Sequence, residues 1–256
     1  MGTRPAIAAI EKTFRDAGGE GAIVFDPARL PQATPDWLER AHWGDSAQPV
    51  AEGGRGAAWF VSGEFGQAVL RHYRRGGMAR HLSTERCLWL GAHRVRSLLD
   101  FLLIARLHAA GLRVPAPLMA GYRRQGLGYR AAILVERIPA ARPLHDWLGE
   151  PGARAWEAAG LSIARLHHAG VDHADLNAHN VLLDAEGWAW LIDFDRGRRR
   201  PPAAAWREAN LARLARSLAK LAGRGADDAW KGGYARLRKA YDDAYRHAGD
   251  HAQVQP

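Results

Sequence analysis

Cysteine is nearly absent from this chain: Cys87 is the only one in 256 residues. An intramolecular disulfide is therefore excluded, and a lone thiol suits a reducing cytoplasm. Long apolar runs are also missing, and none approaches the ~20 residues that a membrane span needs. The opening M-G-T-R-P-A-I-A-A-I-E-K has neither a long apolar core nor a cleavage pattern, so no signal peptide is expected. Ala6 stands where a myristoylation signal carries Ser or Thr. The protein is expected to be soluble or peripheral. His72, His81 and His93 show no metal-ligand spacing, so no zinc site is expected. No helix carries a dense basic stripe with interleaved aromatics, which argues against a nucleic-acid module. Repeats and low-complexity segments are absent.

What the chain does have is positive charge. Lys and Arg number 36 against 27 Asp and Glu, a formal balance of +9, and most of the cations are arginine. Such a surface attracts nucleic acid, anionic lipid or phosphorylated substrates. The length allows one large domain or two lobes and a sizeable core.

The most informative stretch runs from His173 to Asp195, H-A-D-L-N-A-H-N-V-L-L-D-A-E-G-W-A-W-L-I-D-F-D. Two apolar runs, V-L-L and W-A-W-L-I, flank D-A-E-G and read as a β-hairpin with a four-residue turn. The hairpin returns Asp193 to the neighbourhood of Asn180. Two oxygen ligands then face one space, as a Mg²⁺ ion held between protein and phosphates requires. Asp175, on the loop before the hairpin, can reach a substrate hydroxyl. This is the layout of a kinase catalytic loop, H-x-D-x-x-x-x-N, followed by a metal-binding Asp-Phe. Three fixed residues in eight also occur by chance, so the motif needs its context.

That context lies upstream, in the expected chain order. Residues 1–49 read as an N-terminal extension packing on a small lobe, with a strand around Ile23 to Pro27. A turn and a short helix follow, capped by Thr34 or Asp36. Gly54-Arg55-Gly56 lies between predicted antiparallel strands. It reads as a plain turn or as a loop whose backbone N–H groups approach phosphates. Arg71, in A-V-L-R-H-Y, falls where a protein kinase carries its strand lysine. It reads as a cation facing the nucleotide α/β-phosphates or as a solvated strand residue. The basic run Arg74–Arg80 is a solvated loop or an anion-binding segment. Arg94 to Gly111 reads as a helix, capped by Ser97 and ended by Gly111. On it, Asp100 holds the position of the acid that pairs with the strand cation, or is an ordinary surface aspartate. Y-R-A-A-I-L-V-E-R-I-P reads as a strand leading into a hinge at Val135–Ile138, with the boundary near Arg137–Pro143. L-H-D-W-L and A-R-A-W-E-A-A-G-L-S-I-A-R-L-H-H-A-G read as helical. His167 and His168 at the second helix's end favour its negative dipole end. Arg196–Arg200 forms a short basic loop where protein kinases keep a long activation segment. Two amphipathic helices close the chain, leaving too little for a peptide-docking platform; a small-molecule or lipid-sugar acceptor is expected.

Taken together, G-R-G-A-A-W-F-V, V-L-R-H-Y-R-R-G-G, G-L-R-V-P-A-P, H-A-D-L-N-A-H-N-V-L-L-D and I-D-F-D-R-G resemble the 3-deoxy-D-manno-octulosonic acid (Kdo) kinases of Gram-negative bacteria. The resemblance spans roughly residues 20 to 220. It implies an α+β, bilobal protein-kinase-like fold, with an antiparallel sheet and one helix in the N-lobe (50–138) and a mainly helical C-lobe (139–256). It implies ATP and Mg²⁺ as cofactors, Asp175 as the catalytic aspartate, and Asn180 and Asp193 as Mg²⁺ ligands. Gly54, Gly56, Arg71 and Asp100 would serve the nucleotide, and Arg in place of Lys at position 71 would be a family trait. The implied acceptor is a Kdo–lipid A type glycolipid, phosphorylated at O-4 at the cytoplasmic face of the inner membrane. An anionic membrane surface is then a second partner, with no obligate protein partner. The chain departs from the family pattern at Asp100, where Glu is expected, and around Cys87. The nearest alternatives are another small-molecule kinase, such as an aminoglycoside or heptose phosphotransferase, and a nucleotide-binding pseudokinase. An acceptor screen separates the first, and tight ATP binding without turnover would mark the second.

Overall fold

The structure is a computed structural model and describes residues 7–50, 58–73, 87–223 and 228–252. Two compact units emerge. One comprises residues 3–109 and 115–137; the other comprises residues 110–114 and 138–256, with the first two residues.

The first unit is built on an antiparallel sheet of eight strands. These are β1 (Ile10–Asp16), β2 (Gly19–Phe25), β3 (Gln48–Pro49), β4 (Ala58–Gly63), β5 (Gly66–His72), β6 (Cys87–Leu88), β7 (Pro117–Gln125) and β8 (Gly128–Glu136). Their order is β1-β2-β7-β8-β5-β4-β3, with β6 pairing to β8. β2 reads G-E-G-A-I-V-F and is buried from Gly21 to Phe25, whereas β1 is almost wholly exposed, as an edge strand should be. Ile23, Phe25, Val61, Ala68, Leu70, Ala132 and Leu134 form one core with Leu30, Ala33, Leu38 and Ala47. Trp37 and Trp43 close it against Phe65, at ring distances of 5.7 and 5.8 Å. The segment between β2 and β3, which includes the single-turn helix α1 (Arg40–Trp43), thus covers one face of the sheet.

Helix α2 (Arg96–Ala109) packs on β7 and β8 and buries Asp100, Phe101, Ile104 and Leu107. Ser97 does not cap it. It lies inside the helix, at its second residue, and its buried side chain is turned to the sheet, where Oγ donates to the Gly121 carbonyl at 2.8 Å. A 3₁₀ turn, Ala92–Arg94, precedes the helix. Neither Thr34 nor Asp36 caps an α-helix: Pro35–Leu38 is a 3₁₀ turn with no side-chain cap bond.

The second unit is mainly helical. Helix α3 (Arg154–His168) packs against the last helix, α5 (Ala229–Ala252), with α4 (Ala204–Ala222) between them in sequence. Glycine permits the close approach of α3 and α5. A Cβ on Gly160 would stand 2.3 Å from the Leu237 carbonyl oxygen, and one on Gly233 would stand 2.2 Å from the Trp156 ring. Two small sheets complete the unit. β12 (Ala189–Leu191), β11 (Val181–Leu183) and β9 (Arg142–Pro143) form one; β10 (Val171–Asp172) and β13 (Arg198–Arg199) form the other. Leu144–Trp147 is a 3₁₀ turn, not a helix. His167 does not act as a charge at the helix end. Burial, then the nearby Arg207, drives its pKa down to about 3, so it is neutral and bonded to the Tyr241 hydroxyl at 2.9 Å. Among the described residues, no helix is long and apolar enough to cross a membrane.

Candidate active site

In the first unit, strand alternation decides where Arg71 points. Ala68 and Leu70 face the core under α1, so Arg71 faces the side that α2 covers. There its Nη2 lies 3.1 Å from Asp100 Oδ2. The Asp100 side chain is 2% exposed and that of Arg71 is 22% exposed. Asp100 is thus not an ordinary surface aspartate. Tyr73, two residues past Arg71, donates its hydroxyl to the same Asp100 oxygen. Burial, then the adjoining carboxylate, pushes the Tyr73 phenol well above its ordinary pKa, so it remains a donor. Its ring also lies under two guanidinium groups, with Arg71 Cζ at 4.7 Å and Arg96 Cζ at 5.3 Å from the centroid. β3 and β4 pair on either side of Gly54 and Gly56, which fall outside the described residues.

In the second unit, His173–Asp195 folds as a loop and a hairpin. β11 and β12 pair from Val181↔Leu191 to Leu183↔Ala189. Asp184 closes the turn by accepting from Trp188 N (2.7 Å) and from Trp190 Nε1 (2.7 Å). Past the hairpin, Ile192 N donates to the Asn180 carbonyl at 3.1 Å, which brings Asp193 back beside Asn180. Asn180 Nδ2 donates to the Asp175 carbonyl at 3.0 Å, and Asn177 Nδ2 does the same. The Asn180 amide nitrogen is committed there, so the atom left to meet a cation is Oδ1. His173 Nε2 donates to the Ile192 carbonyl at 2.9 Å, tying the start of the loop to its end. Burial holds the His173 pKa below its usual value despite the nearby Asp193 and Asp175 carboxylates. Its ring packs on Phe194 at 4.8 Å. Ala174 (φ +56°) and Asp193 (φ +64°) both adopt the left-handed conformation, the kind of strain that collects at functional sites.

The residues that hold this loop were not foreseen. Asn210, on α4, donates to Asp172 Oδ1 at 2.8 Å and accepts from the His173 backbone N–H at 3.1 Å. Arg200 donates to Asp172 Oδ2 at 2.9 Å, and Ala174 N to Oδ1 at 3.0 Å. Burial raises the Asp172 carboxyl, but the donors from Asn210, Arg200 and Ala174 outweigh it and hold the group below the usual carboxylate range. A sequence signal existed. Asn210 sits in an i, i+4 stripe with Trp206, Leu214 and Leu218, all buried, and a polar residue inside such a stripe calls for a buried partner.

A sheet unit with one long helix, a helical unit, and the loop H-x-D-x-x-x-x-N with its hairpin define a phosphotransferase of the protein-kinase-like class. Known proteins narrow it. The model of the lipopolysaccharide kinase (Kdo/WaaP) family matches residues 40–241. A 3-deoxy-D-manno-octulosonic acid kinase of Stenotrophomonas maltophilia (strain R551-3) is 55% identical over 233 residues, covering 90% of this chain and 93% of that protein. One from Xanthomonas campestris pv. campestris (strain B100) is 54% identical over 233 residues, covering 91% and 94%. The chain belongs to the lipopolysaccharide kinase (Kdo/WaaP) family, and it is an enzyme that transfers phosphate to an alcohol group.

Proposed function

We propose that this enzyme transfers the γ-phosphate of ATP to the 4-hydroxyl of a Kdo sugar on a lipid A–type acceptor, a step of lipopolysaccharide inner-core assembly. The observation that carries the reading is the linkage of Asp175, Asn180 and Asp193 through Asn180 Nδ2, the Asn180 carbonyl and Ile192 N. The names of the relatives at 53–55% identity supply the acceptor sugar.

Asp175 orients the acceptor hydroxyl and takes its proton as the phosphoryl group moves in line. Asn180 Oδ1 and the Asp193 carboxylate would hold Mg²⁺, which when bound would neutralise charge on the phosphate oxygens. The donor set fits that ion: both groups are hard oxygens. Among the described residues, no cluster of three or more His, Cys, Asp or Glu offers a self-sufficient metal cage. Arg71, aimed by Asp100 and stacked on Tyr73, holds the nucleotide α/β-phosphates with the backbone of Gly54 and Gly56. A guanidinium suits this because its planar fork can serve a carboxylate and a phosphate together. The basic runs Arg74–Arg80 and Arg196–Arg200 meet the acceptor's carboxylate and phosphates. The enzyme works as a peripheral protein at the cytoplasmic face of the inner membrane.

The test is transfer from ATP and Mg²⁺ to Kdo–lipid IVA, read by mass spectrometry beside an Asp175→Ala control. A gain of one phosphate on Kdo, absent in the control, is expected. ATP binding without that gain would redirect the search to another acceptor; near-wild-type turnover by the control would sink the role given to Asp175.

A further inference from the structure

The tip of the β7–β8 hairpin carries a surface that the catalytic reading does not use. Gly126-Leu127-Gly128 makes the turn, and Leu127 is 82% exposed. Beside it, β6 pairs Leu88 with Gly128, and Trp89 N donates to the Leu127 carbonyl at 2.9 Å. Leu88 and Leu90 are each 55% exposed. Three leucines therefore project at one end of the sheet, where folding alone would favour polar side chains.

Behind the leucines lies an aromatic layer. Trp89 packs on Tyr122 at 5.0 Å and on Tyr129 at 5.9 Å, and Trp89 and Tyr122 are both half-buried. Behind that come cations. Arg124 Cζ stands 5.1 Å from the Trp89 ring centroid, while Arg124 and Arg15 share the single carboxylate of Glu20. Arg123 and Arg130 lie on the other face of the sheet, where Arg123 pairs with Asp16 and Glu39, and take no part in this layer. Apolar tip, then Trp and Tyr, then excess arginine is the gradient of a lipid interface, from acyl chains through headgroups to anionic surface.

We infer that Leu88, Leu90 and Leu127 insert into an anionic lipid surface and that this hairpin tip docks the enzyme there. The inference deepens the peripheral-membrane part of the proposed function but needs neither the acceptor nor the chemistry. A protein partner is the less favoured occupant, since the order of leucine, aromatic and arginine, with two cations on the one Glu20 carboxylate, matches lipid.

The first experiment is co-sedimentation of the full chain with vesicles of phosphatidylethanolamine containing 30% phosphatidylglycerol, without acceptor. Leu88→Asp with Leu127→Asp should lower the partition coefficient at least tenfold, and Arg124→Gln should lower it several-fold. Phosphatidylcholine vesicles should bind weakly. A second experiment places a nitrobenzoxadiazole label at Leu127→Cys in a Cys87→Ser background. Its emission should rise and shift to the blue on the anionic vesicles. Equal binding by the double variant, no change in the label, or failure of the wild type to bind would each overturn the inference. Turnover of a water-soluble Kdo acceptor by the double variant should stay at the wild-type level. Loss of turnover there, with vesicle binding intact, would count against the assigned role of the leucines. Absence of turnover by the wild type would count against the proposed acceptor and leave the vesicle result standing.

Discussion

Arg71 and the loop of residues 173–193 are held in different ways. Arg71 pairs with one buried carboxylate, Asp100, which it shares with Tyr73. Removing that carboxylate takes a charge partner from a half-buried cation and an acceptor from a buried hydroxyl together. The loop is held by many bonds, several of them to backbone carbonyls, with Asn210 and the Arg200–Asp172 pair fixing its start. Asp175 ties in through its carbonyl, Asn180 through its amide and carbonyl, and His173 through Ile192. Several bonds share that load, and those from Asn177 and Asn180 use the Asp175 carbonyl rather than its carboxylate. An arrangement spread over many bonds tolerates loss of one side chain; one centred on a single buried carboxylate does not.

Four experiments bear on that contrast. The largest effect is expected from Asp175→Asn. Turnover should fall about 10³-fold, the scale of a lost general base, while the thermal midpoint moves by no more than about 2 °C. A large drop in midpoint would show that the carboxylate is structural after all.

Asp100→Ala should do the reverse, acting first on folding. Breaking a buried pair by removing one partner costs about 3 kcal/mol, readable by urea unfolding. If stability is unchanged, the charge does not hold that site. Next, Asn210→Ala removes the donor to Asp172 and the acceptor for His173 N. A loss of about 2 kcal/mol is expected for buried partners left unpaired. Because the loop has other ties, turnover should drop far less than with Asp175→Asn.

The last effect is with pH. His167 sits at about 3 in the folded protein, against about 6.5 in the unfolded chain. Below about pH 6.5 the unfolded state takes up the proton and the folded state does not. The stabilising contribution is thus complete above 6.5 and declines as pH falls toward 3, by up to about 1.4 kcal/mol per pH unit. His167→Gln should flatten unfolding free energy against pH over that range. An unchanged slope would mean that another group carries it.

Much of the loop could be read in advance because its determinants are local. D-A-E-G between two apolar runs sets the turn, and the turn sets where Asp193 returns. The Arg71–Asp100 contact was legible only as one of two readings, since 29 positions separate the partners and their meeting depends on how α2 lies on the sheet. Tyr73 escaped because its role exists only in three dimensions; Asn210 announced that it needed a buried partner but not which one. The cap roles given to Ser97 and Thr34 failed on boundaries that are set by packing: α2 begins one residue before Ser97, whose hydroxyl turns to the Gly121 carbonyl, and Thr34 precedes a 3₁₀ turn. β1 gave little signal: an exposed edge strand has no apolar face to alternate.

The pairing of β2 with β7 has a consequence for how the chain comes into being. Phe25 lies opposite Met119, and Glu20 opposite Arg124. On a ribosome adding roughly 5–20 residues per second, β2 emerges on the order of ten seconds before its neighbour exists. For that interval its buried run Gly21–Phe25 has only β1 beside it and an open apolar edge on the other side. Such an edge is a site for premature pairing between nascent chains. A fragment ending before β7 should therefore aggregate, although it contains six of the sheet's eight strands.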